Sequence, residues 1–558
     1  MNTKVLKSLV NENWKAGLTV ALISVPLSIA LSIASGAGPI PGLVTGIWAT
    51  LIASLFGGSN YNVIGAAGAL TTVLFAATLG APDNLGAGIL PILAIATGLI
   101  ILAVWAIRAD RFLYYIPSSV IYGFSAGVAF LIAVSQLFDA TGLSALKRTG
   151  HFLGDIELFF EHIRDVHIPT ILCFIAFLTF ILVWKSSIKK VPAVIPVSIL
   201  GIVFGYLEAS HFNQNLVSLG DKFGSFKGAL YSSVPWDFLT SLIHNPGNLI
   251  WVFKVASVIA LIAILETLIT ARIGDSLTKT QSSSTKELLG LALANLGSGV
   301  FGGLPATGVF IRTGANIKAG ATHKVSATIA SVATALIALL ALPFFIYIPM
   351  AVIAAILVNT ALGLIETHKF KEFWAHEKSS FWIAFMVILI TVFEDAGMAV
   401  VVGALFSLLY FADTISHGRF DVILNYKNGT RKDIRGKQNL HLPHGEPIEI
   451  LTYSIAGFLG YIDSSRHSAN LRQIAHNKTV SHVIIRLRDL FAMDFEGQEM
   501  LKEAITNLHT SGKHVCISSA SAQIMEHLKD LEFLTTDPQP RIFSKTGDAL
   551  TAIRSMAQ

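Results

Sequence analysis

The stretch FGGLPATGVFIRTGAN, residues 301–316, places glycines and a proline inside a sequence that is otherwise apolar enough to be membrane helix. Gly and Pro are the poorest helix formers, so the chain must open here before it closes again into a short helix. Non-helical backbone at membrane depth persists only where protein or a water-filled cavity satisfies its polar groups. The break is therefore the feature to explain.

Its setting is an integral membrane protein. Of 558 residues, 53% are hydrophobic and only 13% charged, where a soluble protein carries about 25% charge. Apolar runs of bilayer-crossing length, roughly 17–25 residues, recur from about Gly17 to about Asp413. Lys4, Lys7 and Lys15 precede the first of them, which reads as a span rather than a cleaved leader because many more follow. Charge returns after residue 420. The net charge of +5 is spread over short loops without a basic stripe interleaved with aromatics, which argues against nucleic acid. Cys173 and Cys516 have neither disulfide nor zinc spacing and read as packing residues, and the 17 His lack metal-ligand spacing. No phosphate-cradling GxxxxGK[ST] and no nucleophile elbow occurs. ATP-driven pumping and enzymatic chemistry are thereby disfavoured, and no cofactor is expected.

Counting apolar segments gives about fourteen helices, centred near residues 25, 50, 70, 97, 126, 176, 200, 260, 293, 312, 331, 355, 386 and 404. With a cytoplasmic N-terminus, Arg108 and Arg111, Lys185, Lys189 and Lys190, Arg272, Lys279 and Lys286, Lys324, and Lys369, Lys371 and Lys378 all fall inside, while the long loops 139–167 and 209–247 and the acidic tip Glu394-Asp395 fall outside. This is the positive-inside bias. The tail alternates strand and helix signals and implies a small α/β sheet domain, cytoplasmic in this threading. Residues 415–445 read as a polar linker plus an edge strand.

FGGSNYNVIGAAGALTTVL (56–74) has the same grammar as 301–316: Phe-Gly-Gly, small residues, then a short apolar helix. These are helices three and ten, equivalent positions if the protein is two seven-helix halves. Paired interrupted segments of this kind point to a transporter's central site. A half-helix starting at membrane depth aims unpaired N–H groups and the positive end of its dipole at the cavity, and two facing each other make an anion site. The expected donors are the amides around Ala67, Gly68, Ala69 and Leu70 and around Ala306, Thr307, Gly308 and Val309. The competing reading is that the glycines serve only close helix packing. Arg312, one turn into the second half-helix, either raises the local potential for anions or satisfies neighbouring carbonyls.

VASVIALIAILETLITARIG (255–274) contains one carboxylate, Glu266. An ionisable group inside a span is a functional hypothesis by default. Thr270 is one turn on, on the same face; together they form a candidate sodium site, or Glu266 alone carries a proton. The alternative is a structural pairing of Glu266 with backbone or with Arg312. Asp275 reads as a loop or capping residue, and Ser125, Ser135 and Gln136 as helix-to-helix hydrogen-bonding groups.

These residues together resemble the sulfate permease (SulP) family, equivalent to solute carrier family 26. The resemblance rests on GLTVALISVPLSIALSIASGAGPIPGL, FGGSNYNVIGAAGALT, ILETLITARIGDSL and KELLGLALANLGSGVFGGLPATGVFIRTGANIKAGA, together with a tail similar to a STAS domain. It implies an all-α polytopic membrane domain over residues 1–414, with fourteen helices in two inverted seven-helix repeats. A core of helices 1–4 and 8–11 would move as an elevator against a gate of helices 5–7 and 12–14. A cytoplasmic α/β STAS domain over 446–558 and a homodimer in the inner cell membrane, in contact with lipid, are also implied. The implied activity is transport of a small inorganic or carboxylate anion held between helices 3 and 10, coupled to H+ or Na+ at Glu266. Pro26-Leu27 stands where many members have Pro-Gln, and ASGAG (34–38) is similar to the sodium-dependent bicarbonate branch. That branch has Asp at the Glu266 position, and Glu there resembles proton-coupled carriers, dicarboxylate carriers included. DFEG (494–497) replaces the DSSG that bears the phosphorylated serine in antagonist proteins. The expected function is thus secondary transport of bicarbonate in preference to sulfate, with a C4-dicarboxylate:proton symporter or a STAS-centred membrane sensor as alternatives.

Overall fold

A computed structural model describes residues 3–108, 117–146, 148–188, 191–212, 215–226, 230–394, 396–416, 419–436, 440–442, 448–530 and 540–557. Arg111, Lys189, Lys190 and Asp395 of the charge pattern, and the expected boundary near residue 445, lie outside these residues. The chain divides into two compact units, residues 1–407 and 408–558.

The main helices over residues 3–416 are α1 (Thr3–Ala34), α2 (Pro39–Phe56), α3 (Gly68–Leu79), α4 (Ile89–Ala106), α5 (Ser118–Ser135), α6 (Ile168–Ser187), α7 (Val194–Leu207), α8 (Pro246–Thr278), α9 (Ser284–Val300), α10 (Phe310–Lys318), α11 (Val325–Phe345), α12 (Met350–Leu364), α13 (Lys378–Phe393) and α14 (Ala396–Ser416). Every expected helix centre falls inside one of them. Ten apolar helical stretches among the described residues are long enough to cross a membrane. Local chemistry sets several ends. Pro39 opens α2 at a first-turn position where a missing N–H costs nothing. The Asn245 side chain accepts the Gly247 amide at 3.1 Å to start α8, and Lys279, in the left-handed region at φ 57°, ends it. Shorter helices, Phe152–Glu161, Leu219–Phe223, Trp236–His244 and Thr367–His376, occupy stretches between the spans.

Small residues let the helices approach. A Cβ on Gly98 of α4 would stand 2.8 Å from the backbone nitrogen of Leu296, and one on Gly299 of α9 would stand 2.8 Å from that of Ile95. Hydrocarbon offers no hydrophobic drive between helices, so contacts this close supply the association.

In the second unit a six-stranded sheet has the order β4-β3-β5-β6-β7-β8, with β3 (Arg419–Tyr426), β4 (Arg431–Gly436), β5 (Ile448–Leu459), β6 (Val480–Met493), β7 (His514–Ser518) and β8 (Arg541–Phe543). β5 to β8 are parallel and β3 is antiparallel to both of its neighbours. Helices α15 (Tyr461–His476), α16 (Phe495–Thr510), α17 (Ala522–Asp530) and α18 (Thr546–Ala557) alternate with them. Side chains alternate across the sheet: Leu451, Tyr453, Val483 and Ile485 join one core, while Ile450, Ile484 and Cys516 join the other with Ala549 and Ile553. The stretch expected to be a polar linker plus an edge strand holds a hairpin, of which β4 is the edge strand. NYKNGT supplies its turn, and β3 sits inside the sheet because its apolar residues Phe420, Val422 and Leu424 are buried in the first core. Cys173 and Cys516 are free and buried.

Candidate functional site

The two broken segments pair with each other. β1 (Ile64–Gly65) and β2 (Thr307–Gly308) form an antiparallel bridge, Ile64 opposite Gly308 and Gly65 opposite Thr307. α3 and α10 leave from this bridge. Their N-cap residues, Ala67 and Val309, have extended backbone and no side-chain cap, so the amides of Gly68 and Ala69 and of Phe310 and Ile311 have no partner in their own helices. A cavity of about 80 Å³ is lined by Ala69 of α3, Phe310 of α10 and Glu266 and Thr270 of α8. Ser125 of α5 lines it too. Leu364 of α12 and Val400 of α14 close the far side.

The second set of expected donors needs correction. The Ala306 amide donates to Asn295 Oδ1 at 2.8 Å, the Gly308 amide to Thr267 Oγ1 at 2.8 Å, and the Val309 amide to the Val63 carbonyl at 2.9 Å. The Thr307 hydroxyl lies 3.0 Å from Thr267 Oγ1 and donates to the Ala263 carbonyl at 3.1 Å. The stretch before α10 is a pinned strand, not an open loop, and its amides are spent on holding it. The free amides of this half begin at Phe310, further along than the sequence implies. At α3, Gly68, Ala69 and Leu70 do open the helix, with Ala67 as its N-cap.

Glu266 Oε2 is enclosed and accepts no hydrogen bond, and Thr270 donates to the Gly308 carbonyl at 3.3 Å. The carboxylate, the hydroxyl and β2 are therefore one assembly. Arg312 is not the partner of Glu266. It is fully buried, with Nη2 donating to Ser28 Oγ at 2.8 Å and with Nε and Nη1 unpartnered. Its guanidinium lies where a side chain on Gly65 would be. Neither a carbonyl nor a carboxylate neutralises it among the described residues, and an uncompensated positive charge in low dielectric behind β1 favours an anion nearby.

Sequence reasoning missed the clamps. Glu287 in the first turn of α9, 2% exposed, accepts from the amides of Gly58 and Ser59 at 2.7 and 2.8 Å and from Asn62 Nδ2 at 2.7 Å. Thr313 Oγ1 accepts the Val63 amide at 3.0 Å and donates to Asn62 Oδ1 at 3.1 Å. An acid in the first turn of a helix looks like a dipole-complementing residue, which hid Glu287. Asp275 caps the α8–α9 turn through Thr280 and Ser282. Gln136 Nε2 donates to its neighbour Ser135 at 2.9 Å, within one helix end.

Interrupted half-helices bridged at their starts, beside a buried carboxylate in a membrane-spanning bundle, define a membrane transport protein. The sulfate permease family matches residues 11–387 and the STAS domain residues 444–549, and the chain belongs to the sulfate permease family. It is a transporter of anions and not an enzyme. YvdB of Bacillus subtilis is 26% identical over 92% of both chains. The bicarbonate transporter BicA of Picosynechococcus is 27% identical over 69% of this chain and 67% of its own. A solved transmembrane domain of a cyanobacterium BicA superposes with a TM-score of 0.63 at 25% identity, covering 70% of this chain and 97% of that one. The structure of SLC26A9 superposes with a TM-score of 0.81 at 15% identity over 99% of this chain and 91% of its own, which is a likeness of fold.

Proposed function

We propose that this protein is a secondary active transporter that carries bicarbonate in preference to sulfate, driven by a sodium or proton gradient through Glu266. The observation that carries the reading is the β1–β2 bridge, which holds two uncapped half-helix starts at one cavity with Glu266 and Thr270 on its wall. The anion lies against the amides of Gly68, Ala69, Phe310 and Ile311. An ionised Glu266 repels it, and a bound cation or proton removes that repulsion, so the two are carried together. Sodium takes the oxygens of Glu266 and Thr270; a proton needs Glu266 alone. Similarity to BicA favours bicarbonate.

The cavity is walled by α3, α8 and α10 on one side and by α5, α12 and α14 on the other. This supports an elevator in which the first group moves as a core against the second as a gate. Charge placement supports a cytoplasmic N-terminus and STAS domain, and it puts Lys369, three residues past the cavity-lining Glu366, on the cytoplasmic side, which supports an inward-facing cavity. A homodimer in the inner membrane completes the reading. Uptake of radiolabelled bicarbonate, sulfate and fumarate into proteoliposomes, each with a sodium gradient, a proton gradient or neither, tests it. Gradient-driven accumulation of bicarbonate is expected, and accumulation of fumarate alone would replace it with dicarboxylate symport.

A further inference from the structure

The cavity has a second carboxylate that anion binding does not use. Glu366, which follows α12 and precedes the helix Thr367–His376, lines the same space as Glu266, Ala69 and Phe310. Unlike the enclosed Glu266 Oε2, its side chain is 28% exposed, so it stands at the rim. Its neighbours offset its charge only in part, because Lys369 attracts it while Glu372 beside it adds a second negative charge. His368 Nε2 is 3.5 Å away and charged only when protonated, and Lys369 is held by Glu372 at 2.8 Å. Tyr122, also on the lining, carries no charge at neutral pH.

We propose that Glu366 is an electrostatic release group, whose negative charge at the cavity mouth lowers the affinity of the inward-facing site for its anion and so speeds delivery to the cytoplasm. This rests on the reading of the cavity as the anion site. The physical reason is that backbone dipoles attract the anion with fractional charge, while one full opposing charge several ångströms further out tilts the path outward without occupying it. Cations gain the reverse effect, since the same carboxylate draws Na+ or H+ toward the mouth before the anion binds. Ordered loading, cation first and anion second, follows at this face.

Full-length wild type, Glu366→Gln and Glu366→Asp are reconstituted into vesicles of defined sidedness, assigned by protease access to the tail, and bicarbonate KM and kcat are measured from each face. At low salt Glu366→Gln is expected to lower the KM at the cytoplasmic face by about threefold to tenfold, to reduce kcat for inward transport, and to leave the KM at the outer face unchanged. Glu366→Asp is expected to behave like wild type. The difference is expected to shrink in 1 M salt, where screening reaches about 3 Å. Equal cytoplasmic-face KM values in wild type and Glu366→Gln, or equal shifts at both faces, overturn the release role and leave the site reading standing. Absence of saturable anion transport by wild type overturns the site reading and this inference with it.

Discussion

Asn62 donates its side-chain amide to Glu287 at 2.7 Å, tying the loop before α3 to the first turn of α9. Through Thr313, the same asparagine is tied to α10. The two half-helices are therefore clamped by a polar network that never touches the cavity. Glu287→Ala takes this acceptor from the backbone amides of Gly58 and Ser59 and from the Asn62 side-chain amide, and a buried group stripped of a charged partner costs about 3 kcal/mol. A lowered melting midpoint in detergent, with loss of uptake, is expected. Glu287→Gln, which keeps an acceptor, should fall between. Unchanged melting in Glu287→Ala would show the clamp to be dispensable.

Gly65 and Gly314 make a matched pair. A methyl on Gly65 collides with the Arg312 guanidinium, while one on Gly314 of α10 meets nothing within 4 Å. Gly65→Ala should displace Arg312 from Ser28 and depress transport at least tenfold, about 1.4 kcal/mol. Gly314→Ala should preserve transport and stabilise by up to about 1 kcal/mol through helix propensity. Uptake assays of both variants, normalised to folded protein, decide the matter.

Glu266→Gln keeps shape and removes charge. Accumulation against a gradient should vanish while anion binding and thermal stability persist. Isothermal titration of the anion, run beside uptake, separates the two effects. Full gradient-driven accumulation by Glu266→Gln would remove Glu266 from coupling.

In the STAS domain His482 and His514 stack at 5.1 Å as neighbours on β6 and β7. Burial, and then the nearby His514, hold His482 below its ordinary value, and the same two causes act on His509. The unfolded chain takes up protons near pH 6.5, whereas these folded imidazoles resist them. Stability is therefore full above pH 6.5 and is lost as pH falls below it toward the folded values. Protection factors over residues 480–518, with the pH-dependent intrinsic exchange rate divided out, should fall between pH 7.5 and 5.5, and His482→Gln with His509→Gln should flatten that dependence. Identical profiles in wild type and the double variant would exclude these histidines.

Much of this protein is written along the chain. Hydrocarbon demands apolar runs of fixed length, so helix centres follow from composition. Glycine and proline cannot be hidden in such runs, so both breaks stand out at 56–74 and 301–316, and a lone acid in an apolar helix announces Glu266. Period-two and helical patterns likewise mark β5 to β7 and α15 to α17. What spacing cannot reveal is which partner a polar atom takes, because that depends on residues hundreds of positions away. Ser28 receives Arg312, Thr313 takes the Val63 amide, and Glu287 holds Gly58 and Ser59. Local chemistry thus determined that two helices break and where. Only the tertiary structure decided that the breaks face each other as a β-bridge, which amides remain free, and that Glu366 shares their cavity, since each is a matter of distance in space.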